Sequence, residues 1–120
     1  MKKILIVDDS PAETALMRSV LQQAGYQPVA LHDSTRLEET IEAERPQLIL
    51  MDVVMPTRNG FQACRELKDN PQFAQIPVVI VSSKNTDSDR FWAQNQGASD
   101  YVVKPFTAQQ LLGAVGKFIP

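Results

Sequence analysis

The chain has little of several features that would narrow its function at once. It has a single cysteine among 120 residues, Cys64, so it forms no internal disulfide, which is typical of a reducing compartment. Its 12 basic residues face 14 acidic ones, which leaves no excess positive charge for binding nucleic acid or an anionic membrane. No apolar run approaches the ~20 residues of a membrane-spanning helix, and no secretory signal pattern is present. We therefore predict a soluble cytoplasmic protein that contacts neither nucleic acid nor membrane directly.

Short apolar runs alternate with amphipathic segments along the chain. They predict five strands, at residues 3–7, 28–31, 48–51, 77–81 and 100–103. The first, third and fourth runs are almost continuously apolar, as in central strands of a parallel sheet, whereas the other two suit its edges. The alternation predicts an α/β fold with right-handed crossovers and helices on both faces of the sheet. A length of 120 residues suits one domain, and we expect residues 1–120 to form it, with no output domain.

Capping and helix-ending residues divide the remaining segments into five helices. Ser10 and Glu13 have the spacing of a capping box, with a proline at the first helical position, and Gly25 supplies a stop. We expect this first helix to bury a stripe of small and apolar residues: Ala12, Ala15, Leu16, Ser19, Val20 and Ala24. Thr35 and Glu38 repeat the capping-box spacing for a second helix. The other three helices are predicted at 60–68, 87–96 and 107–118.

Polar side chains stand where four of the predicted strands end. The first strand is followed by Asp8 and Asp9, and the third by Asp52. The fourth ends at Ser82, and the fifth is followed by Lys104. Because the carboxyl ends of parallel strands lie along one edge of the sheet, where doubly wound folds bind ligands, these residues should converge on one site. Each of them alone would be an ordinary loop or turn residue, and the prediction depends on their joint occurrence.

The chemistry of this set points to phosphoryl transfer. Three crowded carboxylates raise one another's pKa unless a cation compensates their charge, and Mg²⁺ prefers carboxylates together with waters and phosphate oxygens. Lys104 supplies a compact ammonium for a phosphate or carboxylate oxygen, and Ser82 supplies a hydroxyl. A carboxylate beside a metal, an ammonium and a hydroxyl is suited to attack phosphorus and form an acyl phosphate. We therefore predict Mg²⁺ as the cofactor.

Four segments resemble the receiver domain of bacterial response regulators. They are LIVDDS at 5–10, MDVVMPTRNG at 51–60, VIVSSK at 79–84 and GASDYVVKPF at 97–106, and the resemblance covers essentially the whole chain. It implies a flavodoxin-like (βα)5 fold with a five-stranded parallel sheet of order 2-1-3-4-5. It also implies a single-domain response regulator of a two-component phosphorelay, similar to the stand-alone chemotaxis regulators. Such a protein is not an enzyme beyond catalysing its own phosphorylation and dephosphorylation.

Matched position by position, the resemblance implies roles at the acidic end of the site. Asp52 matches the phosphoacceptor, which also contacts the metal. Asp8 and Asp9 match the acidic pair that holds Mg²⁺, with Asp9 as the direct ligand and Asp8 acting mainly through a water. The backbone carbonyl of Val54 matches the main-chain metal ligand.

The resemblance also implies roles for the later motifs. Lys104 matches the lysine that pairs with the phosphoryl group, and its peptide bond to Pro105 is expected to be cis. Ser82 matches the hydroxyl switch residue and Tyr101 the aromatic one. On phosphorylation Ser82 is expected to move toward the phosphoryl group, which lets Tyr101 turn into the vacated space.

The implied partners follow from this mechanism. Phosphate comes from a phosphohistidine on a sensor histidine kinase or phosphotransfer protein, and a downstream target protein docks on the face formed by the fourth helix, fifth strand and fifth helix. The protein is expected to be a monomer or weak homodimer, in chemotaxis, phototaxis or pilus-dependent motility. For the adjacent Phe91 and Trp92 on the fourth helix, one of which can be exposed, we favour helix packing over a partner surface.

Other functions compete with this interpretation. The main alternative is a receiver-fold adaptor that works without phosphorylation, but such proteins usually lose the acidic pair, the phosphoacceptor or the lysine, and this chain has all of them. A phosphatase of the haloacid-dehalogenase type carries a second Asp two positions after its nucleophile, where Val54 stands here. A flavin carrier of similar topology needs a hydroxyl-rich phosphate loop after the first strand, where this chain is acidic.

Overall fold

The apolar runs form a single parallel sheet in the computed structural model, which describes residues 2–119. Its elements, in chain order, are β1 Lys3–Val7, α1 Pro11–Gln23, β2 Gln27–Leu31, α2 Leu37–Glu44, β3 Leu48–Met51, α3 Gly60–Asp69, β4 Val78–Ser82, α4 Asp87–Asn95, β5 Asp100–Val103 and α5 Ala108–Gly116. The strand order is β2-β1-β3-β4-β5 and every pairing is parallel, which confirms the predicted fold. Met1 and Pro120, the ends of the expected domain, lie outside the described residues.

The continuous apolar runs are explained by burial on both faces of the sheet. Every residue of β3 and β4 is buried, and so is β1 after its first residue. Alternate side chains of these strands point to opposite sides, because the side-chain period of a strand is two. One set, including Leu5 and Ile49, packs under α2, α3 and α4, and the other, including Ile4 and Leu50, packs under α1 and α5.

The buried face of α1 differs from the predicted stripe. Its buried residues are Thr14, Met17 and Leu21, whereas Leu16 is 53% exposed. This set also has helical spacing, and burying Met17 and Leu21 removes more apolar surface from water than burying alanines would. Val20 of the predicted stripe is half-buried against the core, but the prediction is wrong for Leu16, because both faces of the helix carry apolar residues at the same period.

The capping box predicted for the second helix is also wrong. The helix begins at Leu37 after Arg36, whose side chain makes no capping hydrogen bond. The Glu38 carboxylate, expected to close the box, instead accepts two hydrogen bonds from the Arg58 guanidinium, at 2.8 and 2.9 Å. Such a bidentate guanidinium–carboxylate pair makes two charge-assisted hydrogen bonds, where the capping box would give the carboxylate one.

The fourth helix is held to the sheet by few side chains. Ala93 is its buried residue, while Phe91 and Trp92 are 61% and 55% exposed. The expectation that this aromatic pair packs against the protein is therefore wrong, because the helix rests on the sheet through a small residue and turns its aromatic side toward solvent. Across residues 2–119, no helix combines the length and apolarity that crossing a membrane requires.

Candidate functional site

Three of the predicted site residues are fixed by backbone bonds that continue the sheet just past its strands. The Asp8 N–H donates to the Leu31 carbonyl at 3.0 Å, and the Asp52 N–H donates to the Val7 carbonyl at 2.9 Å. The Lys104 N–H donates to the carbonyl of Ser82, at 2.9 Å. These bonds place the three side chains along the carboxyl edge of the sheet, after β1, β3 and β5, as the parallel topology predicted.

The ammonium of Lys104 lies at the centre of the site. Its Nζ is 2.8 Å from Asp8 Oδ2 and 3.6 Å from Asp52 Oδ1, and it also donates to the Glu13 carboxylate. Burial alone would lower the pKa of Lys104, but the hydrogen bonds to Asp8 and Glu13 outweigh it and raise the pKa. The lysine is therefore charged at any physiological pH.

The carboxylate of Asp52 is the most perturbed acid of the site. Burial raises its pKa to about 6, and the charges of Asp8 and Glu13 act in the same direction. The Lys104 charge and the Val53 N–H, which donates to Asp52 Oδ1 at 2.9 Å, oppose that rise. Asp52 is thus ionised at neutral pH, but its charge is only partly compensated by the protein.

A close group of carboxylates could hold a metal ion, and its members differ in part from the predicted ones. Oxygens of Asp8, Glu13 and Asp52 lie within 4.8 Å of one another. Asp8 is buried, whereas Asp9 is exposed and its carboxylate lies outside this group. The role of Asp9 as a direct ligand stays a prediction.

Glu13 was missed as a site residue because its spacing suggested a helix cap. Half of the predicted capping box is present, since the Glu13 N–H donates to Ser10 Oγ at 3.3 Å. The reciprocal bond is absent from the described contacts, because the Ser10 N–H donates instead to Asp8 Oδ1, at 2.9 Å. The signal that could have revealed Glu13 is its place in the first turn of α1, since only three residues separate the start of α1 from the end of β1 at the site.

The turn after Asp52 depends on the absence of a side chain at Gly60. A Cβ there would lie 2.0 Å from the Asp52 carbonyl oxygen, far inside van der Waals contact. The Gly60 N–H donates to the Val53 carbonyl at 2.8 Å, and Asn59 caps α3 by accepting from Gln62 N at 2.9 Å. Val54, whose carbonyl was predicted to bind the metal, has an exposed side chain.

Arg58 ties this turn to the neighbouring helices, and sequence reasoning gave it no role. Besides Glu38, its guanidinium contacts the Glu66 carboxylate at 2.6 Å and donates to the Ser34 carbonyl at 2.7 Å. The Ser34 hydroxyl in turn donates to the Arg58 carbonyl at 2.8 Å. Its partners lie on two other segments of the chain, residues 34–38 and α3, so no local pattern indicates the network.

The two predicted switch residues, Ser82 and Tyr101, both form hydrogen bonds with the backbone of Lys84. Ser82 Oγ accepts from the Lys84 N–H at 3.2 Å, and the Tyr101 hydroxyl donates to the Lys84 carbonyl at 2.7 Å. The guanidinium of Arg90 on α4 lies 5.8 Å from the centre of the Tyr101 ring, within cation–π range. The peptide bond between Lys104 and Pro105 is cis, as expected.

An open groove runs along the α4–β5–α5 face next to this loop. Its volume is about 690 Å³, and it is lined by residues that include Arg90, Tyr101, Gln110 and Lys117. The lining mixes charged, amide and aromatic groups, so this face can take part in both polar and apolar contacts.

The fold and the strand-end site together define a class of protein. Residues 4–116 match the family model described as the response regulator receiver domain. The chain therefore belongs to that family, the phosphoacceptor signalling domain of two-component response regulators, and it is not an enzyme in the ordinary sense.

Particular relatives share nearly the whole chain. The protein is 39% identical to Protein PilH of Pseudomonas aeruginosa over 115 residues, which cover 96% of this chain and 95% of the relative. The structure of the chemotaxis protein CheY4 of Vibrio cholerae matches with a TM-score of 0.91 at 26% identity, over 98% of each chain. The BeF3-activated receiver domain of RstA from Klebsiella pneumoniae matches with a TM-score of 0.92 at 30% identity, also over 98% of each chain.

Proposed function

We propose that Asp52 accepts a phosphoryl group from the phosphohistidine of a sensor histidine kinase or phosphotransfer protein. The observation that carries this proposal is the position of Asp52 at the sheet edge, with the Lys104 ammonium 3.6 Å from its Oδ1. The Val53 N–H also contacts Oδ1. Because both contacts use Oδ1, we assign Oδ2 as the nucleophile.

The proposed transfer is a single displacement at phosphorus. A lone pair of Asp52 Oδ2 forms the new O–P bond while the P–N bond to the donor imidazole breaks, and that nitrogen keeps the bonding electrons. Lys104 is close enough to meet an oxygen of the arriving group and to stabilise its charge in the transition state. In dephosphorylation, water attacks phosphorus and the Asp52 carboxylate leaves.

The chemistry of the donor set fits Mg²⁺, a hard cation that prefers oxygen ligands. Three carboxylates with oxygens within 4.8 Å of one another share, among the described residues, the single ammonium of Lys104, so a divalent cation would balance their charge. We assign Asp9, Asp52 and the backbone carbonyl of Val54 as its direct ligands, with Asp8 acting mainly through a water. When bound, Mg²⁺ supplies positive charge that offsets repulsion between the carboxylates and the transferred phosphoryl oxygens.

The shared bonding to Lys84 offers a route from the phosphoryl group to the surface. If the Ser82 hydroxyl turns toward the phosphoryl group, its bond from the Lys84 N–H at 3.2 Å is lost and the loop is free to move. The Lys84 carbonyl also holds the Tyr101 hydroxyl, so movement of the loop changes the position of that ring. The phosphate thereby favours one of two arrangements of the α4–β5–α5 face.

This face is the proposed docking surface for a downstream target protein. The exposed Phe91 and Trp92 lie on α4, the helix whose Arg90 lines the groove, and supply the aromatic area that protein interfaces commonly use. We expect a cytoplasmic monomer or weak homodimer that binds no nucleic acid directly. The likeness to a chemotaxis protein makes chemotaxis or a related motility system the favoured pathway.

Phosphorylation of Asp52 can be tested with a small phosphodonor such as acetyl phosphate and Mg²⁺. The wild-type protein should gain the mass of one phosphoryl group, Asp52→Ala should not, and Asp69→Ala, which removes an exposed carboxylate of α3, should label normally. Labelling that persists in Asp52→Ala would refute the assignment. A wild-type protein that stays unlabelled by both small donors and kinases would favour the adaptor alternative.

A further inference from the structure

The Lys104 ammonium is shared among three carboxylates, and Asp52 is the most distant of them. Asp8 Oδ2 lies 2.8 Å from Nζ and Asp52 Oδ1 lies 3.6 Å away. Glu13 Oε2 accepts a direct hydrogen bond from the same nitrogen. In this state, therefore, the lysine is engaged mainly by Glu13 and Asp8 and only weakly by the proposed phosphoacceptor.

The side chains of Glu13 and Asp8 differ in how freely they can move away from Lys104. The Asp8 side chain is 1% exposed, and its Oδ1 is held by the Ser10 N–H at 2.9 Å. The Glu13 side chain is 44% exposed, so it can turn into water. Glu13 also lies in the first turn of α1, where the helix dipole favours a negative charge in either position of the side chain.

A phosphoryl group on Asp52 would compete directly with Glu13. It raises the negative charge at Asp52 from about one to about two, next to an ammonium that is already within 3.6 Å of Asp52 Oδ1, and it repels the Glu13 carboxylate. We propose that Glu13 is a displaceable counter-ion, which holds Lys104 in the unphosphorylated protein and yields it to the phosphoryl group. Glu13 is thus a positioning residue that opposes phosphorylation, and this inference rests on the proposed role of Asp52.

The substitution Glu13→Gln isolates this effect, because it keeps the size of the side chain and removes its charge. The approaching phosphodonor is an anion, so it would meet one negative charge fewer, and Lys104 would be free to receive it. A unit charge about 6 Å from phosphorus, at an effective dielectric constant between about 40 and 80, changes a rate about threefold to tenfold. We expect Asp52 labelling by acetyl phosphate at saturating Mg²⁺ to become faster by that factor.

The matched control is Glu39→Gln, which changes net charge equally at an exposed position on α2. It should label at the wild-type rate. A second readout needs no phosphorylation: the melting temperatures of wild type, Glu13→Gln, Lys104→Met and the double variant form a cycle that reports the Glu13–Lys104 coupling. Glu13→Gln should lower Tm more in the wild-type background than with Lys104→Met, by about 2–5 °C.

The outcomes separate this inference from the proposed function. A wild-type protein that labels on Asp52, together with a Glu13→Gln rate equal to or below wild type, would overturn the counter-ion role and leave the phosphoacceptor standing. An additive cycle of melting temperatures would overturn it as well, because the pair would then have no coupling in the unphosphorylated protein. A wild type that does not label at all would overturn both assignments.

Discussion

Replacing Asp52 by Asn should stabilise the metal-free protein at neutral pH. The reason is the burial that raises the pKa of Asp52 to about 6, from an ordinary value of 3.8. Asn has nearly the same size, and its side-chain oxygen can still accept the bond that Val53 N–H donates at 2.9 Å. It removes a charge that folding must transfer from water into a site already holding Asp8 and Glu13.

The magnitude follows from the pKa shift. Each unit of pKa corresponds to about 1.36 kcal/mol, so a shift of roughly two units sets an upper value of about 3 kcal/mol. Partial solvent access at the site and loss of the attraction to Lys104 reduce that value. We expect the free energy of unfolding of Asp52→Asn to exceed that of wild type by about 1–3 kcal/mol at pH 7.5.

The contribution of Asp52 to stability should change with pH in a direction set by which state binds more protons. Between pH 3.8 and about 6 the folded protein binds more protons at Asp52 than the unfolded chain does, so this residue makes wild type less stable as pH rises. Well above pH 6 Asp52 is ionised in both the folded and the unfolded protein, and its full destabilising effect is present. Well below pH 4 Asp52 is protonated in both states, and the effect is absent. The advantage of Asp52→Asn should therefore be present at pH 7.5 and largely absent at pH 4.

Urea denaturation in the presence of a metal chelator measures this difference. Comparing wild type with Asp52→Asn at each pH cancels the contribution of acids distant from the site, and Asp69→Asn on the surface of α3 serves as a control with a small effect. Equal stability at pH 7.5, or the same difference at both pH values, would show that burial of the Asp52 charge does not destabilise the folded protein.

Two further substitutions, one of them with a matched control, test the turn after Asp52 and the role of Lys104. Gly60→Ala should destabilise the protein by about 1–3 kcal/mol and slow labelling, since its Cβ would lie 2.0 Å from the Asp52 carbonyl. Gly113→Ala, which has open space in α5, should instead be stabilising, and equal urea midpoints for the two variants would contradict the close approach. Lys104→Ala should still label on Asp52 but lose the change in fluorescence of Trp92 on α4 that phosphorylation is expected to cause. A fluorescence change equal to that of wild type would show that Lys104 is not needed to couple phosphorylation of Asp52 to the change at α4.

Much of the fold follows from local patterns that the sequence shows directly. The strand positions were predicted to within one residue at each end, because continuous apolar runs bounded by polar residues suit strands buried on both faces. The convergence of Asp8, Asp52 and Lys104 followed from parallel topology alone, since it needs only the knowledge that each stands at a strand end.

The helix faces and caps were less predictable, because local spacing allowed more than one answer. Leu16 and Met17 both lie on apolar stripes of α1, and only contact with the sheet selects the stripe that contains Met17. The capping-box spacing of Thr35 and Glu38 was present, but a guanidinium from a distant turn provided Glu38 with a stronger partner.

The sequence by itself determined the alternation of strands and helices, the sheet edge that carries the acids, and the family to which they belong. Only the tertiary structure decided that the Glu13 carboxylate accepts a hydrogen bond from Lys104, a residue 91 positions away, and does not close a capping box. The physical reason is the separation along the chain over which each effect acts. Hydrophobic periodicity and helix capping involve residues a few positions apart. An ion pair instead forms between any opposite charges that the packed elements bring within about 4 Å. Glu13 and Lys104 meet because α1 begins and β5 ends at the same edge of the sheet.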